Sequence, residues 1–174
     1  MIPRPLLIAI LLTLAFVPPA SSQTCQTETA VPSTTPASRF ADNGNGTMTD
    51  KSTGLMWARC PEGLSGTACA TGKAATFTWE EALIRARDSG LAGYTDWRLP
   101  NVKELSSIVE ERCYDPAINL DVFPNTPASY FWSASPLAYS SSSAWTVYFY
   151  YGYTYLSGNR VDYLYHVRLV RSGQ

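Results

Sequence analysis

Apolar residues run from Leu6 to Val17 with Thr13 as the sole interruption. A basic start at Arg4, an apolar stretch too brief to span a bilayer, and small residues at Ala20 and Ser22 read as a secretory signal peptide over residues 1–22, cut before Gln23. Residues 23–38 are Thr-, Ser- and Pro-rich with no apolar period and predict an extended lead-in. The folded domain then spans residues 39–174. Asp42-Asn43-Gly44-Asn45-Gly46 is a tight turn, and a second turn runs from Asp50 to Gly54. Thr47-Met48-Thr49 and Leu55-Met56-Trp57 follow them as the strands of a hairpin.

Two capping boxes mark helices. Thr78-Trp79-Glu80-Glu81 opens one that runs through Ala82, Leu83 and Ala86 and ends near Gly90. Asn101-Val102-Lys103-Glu104 opens another, with an apolar face of Val102, Leu105, Ile108 and Val109. The acidic pairs Glu80/Glu81 and Glu110/Glu111 read as a solvated first and last turn, because helix neighbours point about 100° apart. Beyond Cys113 the pattern turns to strands: Tyr130-Phe131-Trp132, Ala144 to Tyr150, and Val167 to Val170. In the middle one Trp145, Val147 and Phe149 alternate with Thr146, Tyr148 and Tyr150, so the first set faces a core and the second faces out. Two helices between β segments predict an α+β domain, with the helices packed on short antiparallel sheets.

Composition sharpens this picture. Once the leader is removed, about 150 residues suit one domain with a single core. A formal net charge of −1 and no run of Lys or Arg exclude a nucleic-acid footprint. No second long apolar segment follows the leader, so the mature chain is expected to lack a transmembrane segment and to be exported, whether periplasmic, cell-surface or extracellular. Four Cys in an exported domain should pair. Cys60 and Cys69 bracket a polar, Gly-containing loop that a local bridge closes, leaving Cys25 with Cys113; three pairings are formally open. Zinc is disfavoured, since there is no CxxC pair and one His. Gly44 and Gly46 occupy positions where an EF-type loop needs oxygen ligands; other oxygen-rich geometries leave calcium as the one cofactor in question, and no other is expected.

Eight of the eleven Tyr fall between Tyr139 and Tyr165, interleaved with Ser and Gly. Tyr brings contact area and a hydroxyl at the entropy cost of few torsions, so an outward Tyr/Ser face has the composition of a binding surface. An enzyme would need a reactive constellation. His166 is the only imidazole, and the nearby Asp162 lies in the same surface run, so a Ser-His-Asp arrangement is not expected and the chain reads as non-catalytic. Asp96, Arg98 and Arg168 read as structural ion-pair partners rather than ligand contacts.

Several segments together carry a resemblance: Arg39 to Thr47 with Asp50 and Thr53-Gly54-Leu55-Met56-Trp57; Asp96-Trp97-Arg98-Leu99-Pro100-Asn101 with Glu104-Leu105; Phe131-Trp132-Ser133-Ala134-Ser135-Pro136; and Val167-Arg168-Leu169-Val170-Arg171. From Arg39 to Arg171 the chain resembles the bacterial Lcl C-terminal domain family. The resemblance implies a C-type-lectin-like fold, related in shape to the formylglycine-generating enzymes, on exported proteins associated with adhesion and ligand binding. The reactive Cys pair those enzymes carry late in the domain has no counterpart here, because all four Cys lie at or before Cys113. Glu-Pro-Asn-like and Trp-Asn-Asp-like motifs of calcium-dependent sugar binding are also missing.

The C-terminal segment 139–166 further resembles the variable proteins of diversity-generating retroelements, where adenine randomisation rewrites a surface. Under that resemblance Trp132, Trp145, Val147, Phe149, Gly152, Val167, Arg168 and Leu169 are scaffold. The ligand-binding positions are Tyr139, Ser141, Ser143, Thr146, Tyr148, Tyr150, Tyr151, Tyr153, Tyr155, Tyr163, Tyr165 and His166. The expected function is recognition of a protein or glycan ligand on another cell or surface; the rival reading on the same fold is an invariant carbohydrate- or matrix-binding adhesin module.

Overall fold

The structure, a computed structural model, describes residues 23–157 and 160–173; the expected signal peptide lies outside the described residues. After a short strand β1 (Thr24–Cys25), turn chemistry builds the first sheet. The Asp42 carboxylate accepts the Gly44 backbone N–H at 2.8 Å, reversing the chain between β2 (Phe40–Asp42) and β3 (Thr47–Asp50). Asp50, buried, accepts from the Ser52 N–H at 3.0 Å and from the Ser52 and Thr53 hydroxyls at 2.8 and 2.7 Å, which turns the chain into β4 (Leu55–Ala58). Both turns fall where the sequence predicts them. Burial by itself would raise the Asp50 carboxyl, but the donors from Arg39, Thr53 and Ser52 outweigh it and hold the group well below the ordinary range.

The Cys60–Cys69 disulfide closes its loop as expected, beside a small hairpin of β5 (Leu64–Ser65) and β6 (Thr71–Gly72). Helix α1 (Trp79–Arg87) has its predicted capping box: the Thr78 hydroxyl accepts the Glu81 N–H, and Glu81 accepts the Thr78 N–H at 2.8 Å. Its one buried stripe is Ala82 and Ala86, one turn apart, packed in a core with Trp97, Leu99, Trp132 and Val167. Helix α2 (Val102–Ser106) has the Asn101/Glu104 box but stops sooner than its apolar pattern predicts. The Ser106 and Ser107 hydroxyls donate to the carbonyls of Val102 and Glu104 at 2.8 and 2.7 Å, competing with helix continuation. Ile108 and Val109 still enter the core, and Val109 bridges to Ile118 in extended form.

After β7 (Cys113–Tyr114) come the longest strands, β8 (Tyr130–Leu137), β9 (Ser140–Tyr148) and β10 (Tyr153–Ser157), in an antiparallel sheet ordered β10-β9-β8. β11 (Val170–Ser172) then returns to β4, so that the first sheet reads β11-β4-β3-β2. The strand expected from Val167 begins only at Val170, although Val167 and Leu169 are buried. The domain is therefore α+β, with short antiparallel strands and two disulfides. Phe40, Met48 and Trp57 from the first sheet meet Leu105, Ile108, Phe123, Phe131, Val147 and Phe149 in one core. Among the described residues no helix is long and apolar enough to cross a membrane.

The lead-in turns at Thr27–Val31 and is not a free linker. β1 pairs with β7, Cys25 is bonded to Cys113, and Gln23 donates to the carbonyls of Pro116 and Ile118, both at 2.6 Å. Glu110, read from sequence as solvated, is buried instead. It accepts from the Ser33 hydroxyl at 2.5 Å, the Thr34 N–H at 3.1 Å, and the Thr35 N–H and hydroxyl at 3.0 and 2.9 Å. Sequence position at a helix end misled here, because α2 has already stopped and Glu110 turns inward to serve the donors of the lead-in.

Candidate recognition face

Register carries the aromatic residues into one array. Tyr130 on β8, Tyr148 on β9 and Tyr153 on β10 lie directly across from one another, as do Trp132, Thr146 and Tyr155. Directly opposed side chains on antiparallel strands are about 5 Å apart, close enough for rings to touch. Tyr130 and Tyr148 stack at 4.2 Å with 13° between planes. From Tyr148 the array continues to Tyr150 at 5.8 Å, then edge-on to Tyr151 at 4.5 Å, then to Tyr153 at 6.0 Å. In the other direction Tyr165 stacks on Tyr130 at 5.0 Å and Tyr163 on Tyr165 at 5.8 Å, while Tyr155 meets Tyr130 and Tyr148 edge-on. Eight tyrosine rings thus form one connected surface.

The frame beneath is packed. Val147 and Phe149 point to the opposite side of the sheet and are buried, with Phe149 edge-on to Phe131 at 5.1 Å. The turn into β10 passes through Gly152, at φ 82°, where an added Cβ would stand 2.6 Å from Val109 Cγ1; a side chain there is excluded by both backbone and space. Tyr165 is pinned from below by Trp132 at 4.6 Å and by paired backbone bonds with Phe77 at 2.9 and 3.0 Å. Arg168 is buried beneath the face. It donates to the carbonyls of Ala58 and Arg59 and to the Thr126 hydroxyl, and its guanidinium lies 4.7 Å from the Phe123 ring centre. Burial draws its pKa down to about 9, so it stays a cation at neutral pH. Asp96 and Arg98 sit in ion pairs, with Arg171 at 2.6 Å and Glu104 at 2.7 Å.

Not every expected position joins the face. Ser143 and Thr146 are buried: Thr146 donates to the Tyr155 carbonyl at 3.1 Å and lies across from Trp132, which Tyr165 covers, while the Ser143 hydroxyl is hydrogen-bonded to that of Ser140 at 3.0 Å. Trp145, expected in the core, is half-exposed beside Thr154 over a shallow depression that Val102, Lys103 and Ser106 also line. His166 turns inward: its Nδ1 lies 2.9 Å from the Ala75 carbonyl and its ring 5.3 Å from that of Phe131. Burial lowers its pKa despite that bond. Tyr139 is 83% exposed at the tip of the β8–β9 hairpin, with Ser141 exposed nearby, and no ring contact ties it to the array among the described residues. Conversely, sequence reading missed Tyr130, the ring at the centre. Its signal was present, since an inward Phe131 forces Tyr130 outward.

Two hydroxyls of the array, those of Tyr130 and Tyr150, are held above the ordinary phenol value. Burial, then the neighbouring Tyr148, Tyr155 and Tyr165, push the Tyr130 hydroxyl up, and the Asp115 carboxylate does the same to Tyr150. A second concavity, about 770 Å³, lies between the Asp42–Gly46 turn, the disulfide loop and the end of α1. Its charges are already matched within the chain, Asp42 with Arg59 and Glu62 with Arg85, both at 2.6 Å. Among the described residues no group of three or more His, Cys, Asp or Glu stands where it could hold a metal ion.

Fold and face together define a disulfide-stapled α+β domain that presents an aromatic sheet surface. Residues 46–171 match the Lcl C-terminal domain, and the chain belongs to that family. No curated protein matches it.

Proposed function

We propose that this is an exported, non-catalytic recognition domain whose tyrosine face binds a macromolecular ligand, and that a retroelement diversifies that face. The observation that carries the reading is the connected array of eight exposed or half-exposed rings on a frame whose opposite side is closed. Monomeric proteins rarely leave contiguous apolar patches of this kind uncovered without a partner for them. Rigid aromatic anchors lose little entropy on binding, and a packed base lets them change without unfolding the domain. A C-type-lectin-like fold is the finer architecture we infer. It fits a chain whose N-terminal strands and β11 share one sheet while a second sheet and two helices lie between them. The paired cysteines suit an oxidising compartment.

The test is binding of the secreted chain to protein and glycan arrays, run beside a Tyr151→Ala/Tyr153→Ala variant. These rings are 52% and 61% exposed, so the change should cost less than about 1 kcal/mol of stability. Loss of at least about tenfold in affinity with an unmoved Tm is expected, as for aromatic residues that dominate an interface. Signals equal in both proteins would place recognition elsewhere.

A further inference from the structure

Resting on that reading, we propose that the ligand is cationic: the tyrosine face takes a basic protein segment that lays Arg or Lys side chains on its outer rings and against Asp115. The first observation is where this chain spends its own cations. Arg39, Arg160, Arg168 and Arg171 lie over the rings of Phe40, Trp79, Phe123 and Tyr94, at 5.2, 4.4, 4.7 and 3.9 Å from their centres. Among the described residues, those four contacts leave all eight rings of the array uncapped. The electron-rich faces of tyrosine attract guanidinium and ammonium groups, and more strongly once water is excluded.

Charge distribution gives the second observation. From Cys113 to Asn159, the stretch that supplies β8, β9 and β10, there is no Lys and no Arg, while Asp115 and Asp121 are present. Asp115 stands close enough to Tyr150 to raise its hydroxyl, and its backbone N–H is bound to the Tyr150 carbonyl at 2.9 Å. Among the described residues its carboxylate belongs to no ion pair. One end of the aromatic row therefore carries an uncompensated negative charge, and no basic residue of the sheet would repel a cation arriving there.

Ring geometry argues for an extended segment over a small ammonium ligand. Tyr130 and Tyr148 stack at 4.2 Å, which leaves no slot for a cation between them, so contacts fall on the exposed rings of Tyr151, Tyr153 and Tyr163 at the ends of the array. Positions spread along a row suit several side chains of one chain. An aromatic cage, by contrast, would enclose a single head group.

Selection of the secreted chain against displayed random dodecapeptides tests this, followed by affinity measurement of the survivors. Survivors enriched in Arg and Lys are expected. They should weaken with added salt, lose at least about tenfold in affinity to Tyr151→Ala/Tyr153→Ala, and lose about three- to tenfold to Asp115→Asn, as for an exposed charge partner. Asn suits that variant because Asp115 has φ 54°, which Asn tolerates. Neutral or acidic survivors that still require the tyrosines would overturn the cationic partner and leave the recognition face standing. So would tyrosine-dependent binding confined to glycans. Survivors indifferent to the tyrosines, or none at all, would overturn both.

Discussion

Tyr148 and Thr146 are two positions apart on one strand and point to the same side, yet one is a surface ring and the other is buried. Alternation assigns a side of the sheet; what covers that side is decided by a segment some twenty residues later, where Tyr165 lies on Trp132. Period-two reasoning therefore placed Val147 and Phe149 correctly and could not see the cover over Thr146. Arg168 shows a similar limit. The sequence marks it as part of a motif, and its partners are two carbonyls and a hydroxyl rather than a carboxylate. Arg168→Ala should cost about 3–5 kcal/mol in denaturant unfolding, since it strands three buried acceptors together. A loss below about 1 kcal/mol would show that water replaces the guanidinium readily.

Both helices announce themselves at their starts, because a capping box is a local device written in four consecutive residues. Their ends are less legible, and the lead-in is the clearest failure. A Thr/Ser/Pro-rich segment reads as loose because nothing local orders it; here a buried carboxylate more than seventy residues away supplies the acceptors. Burial by itself would raise the Glu110 carboxyl, but donors from Ser33, Thr35 and Thr34 outweigh it and the pKa is lowered. A lowered carboxylate binds fewer protons in the folded state than in the unfolded one. Its stabilisation is full above the ordinary Glu value and disappears as pH falls through the folded value. Glu110→Gln should lose about 2–4 kcal/mol at neutral pH and flatten the acid limb of Tm against pH. His166 adds a separate contribution of the same sign, beginning as pH falls below the ordinary His value, since its folded pKa is lowered. An acid limb unchanged in Glu110→Gln would remove Glu110 as the clamp.

For the molecule as a whole, the α+β class, both disulfides and the family could be read from the chain, because each rests on spacing or on motifs. The assembly of the face could not, since it depends on three strands coming into register and on Tyr130, which lies outside the Tyr-rich segment. Under the proposed function, a frame that must stay fixed carries rings that are free to change. Sequencing the 3′ end of the gene and its downstream flank, in a clonal culture and in sister isolates, tests that separation most directly. Variation concentrated in the codons for Tyr148, Tyr150, Tyr151, Tyr153, Tyr155, Tyr163 and Tyr165, with Phe131, Val147, Phe149, Gly152 and Val167 constant and an adenine-rich near-copy downstream, is the predicted result. An invariant segment without a near-copy, or changes spread equally over frame and face, would contradict it.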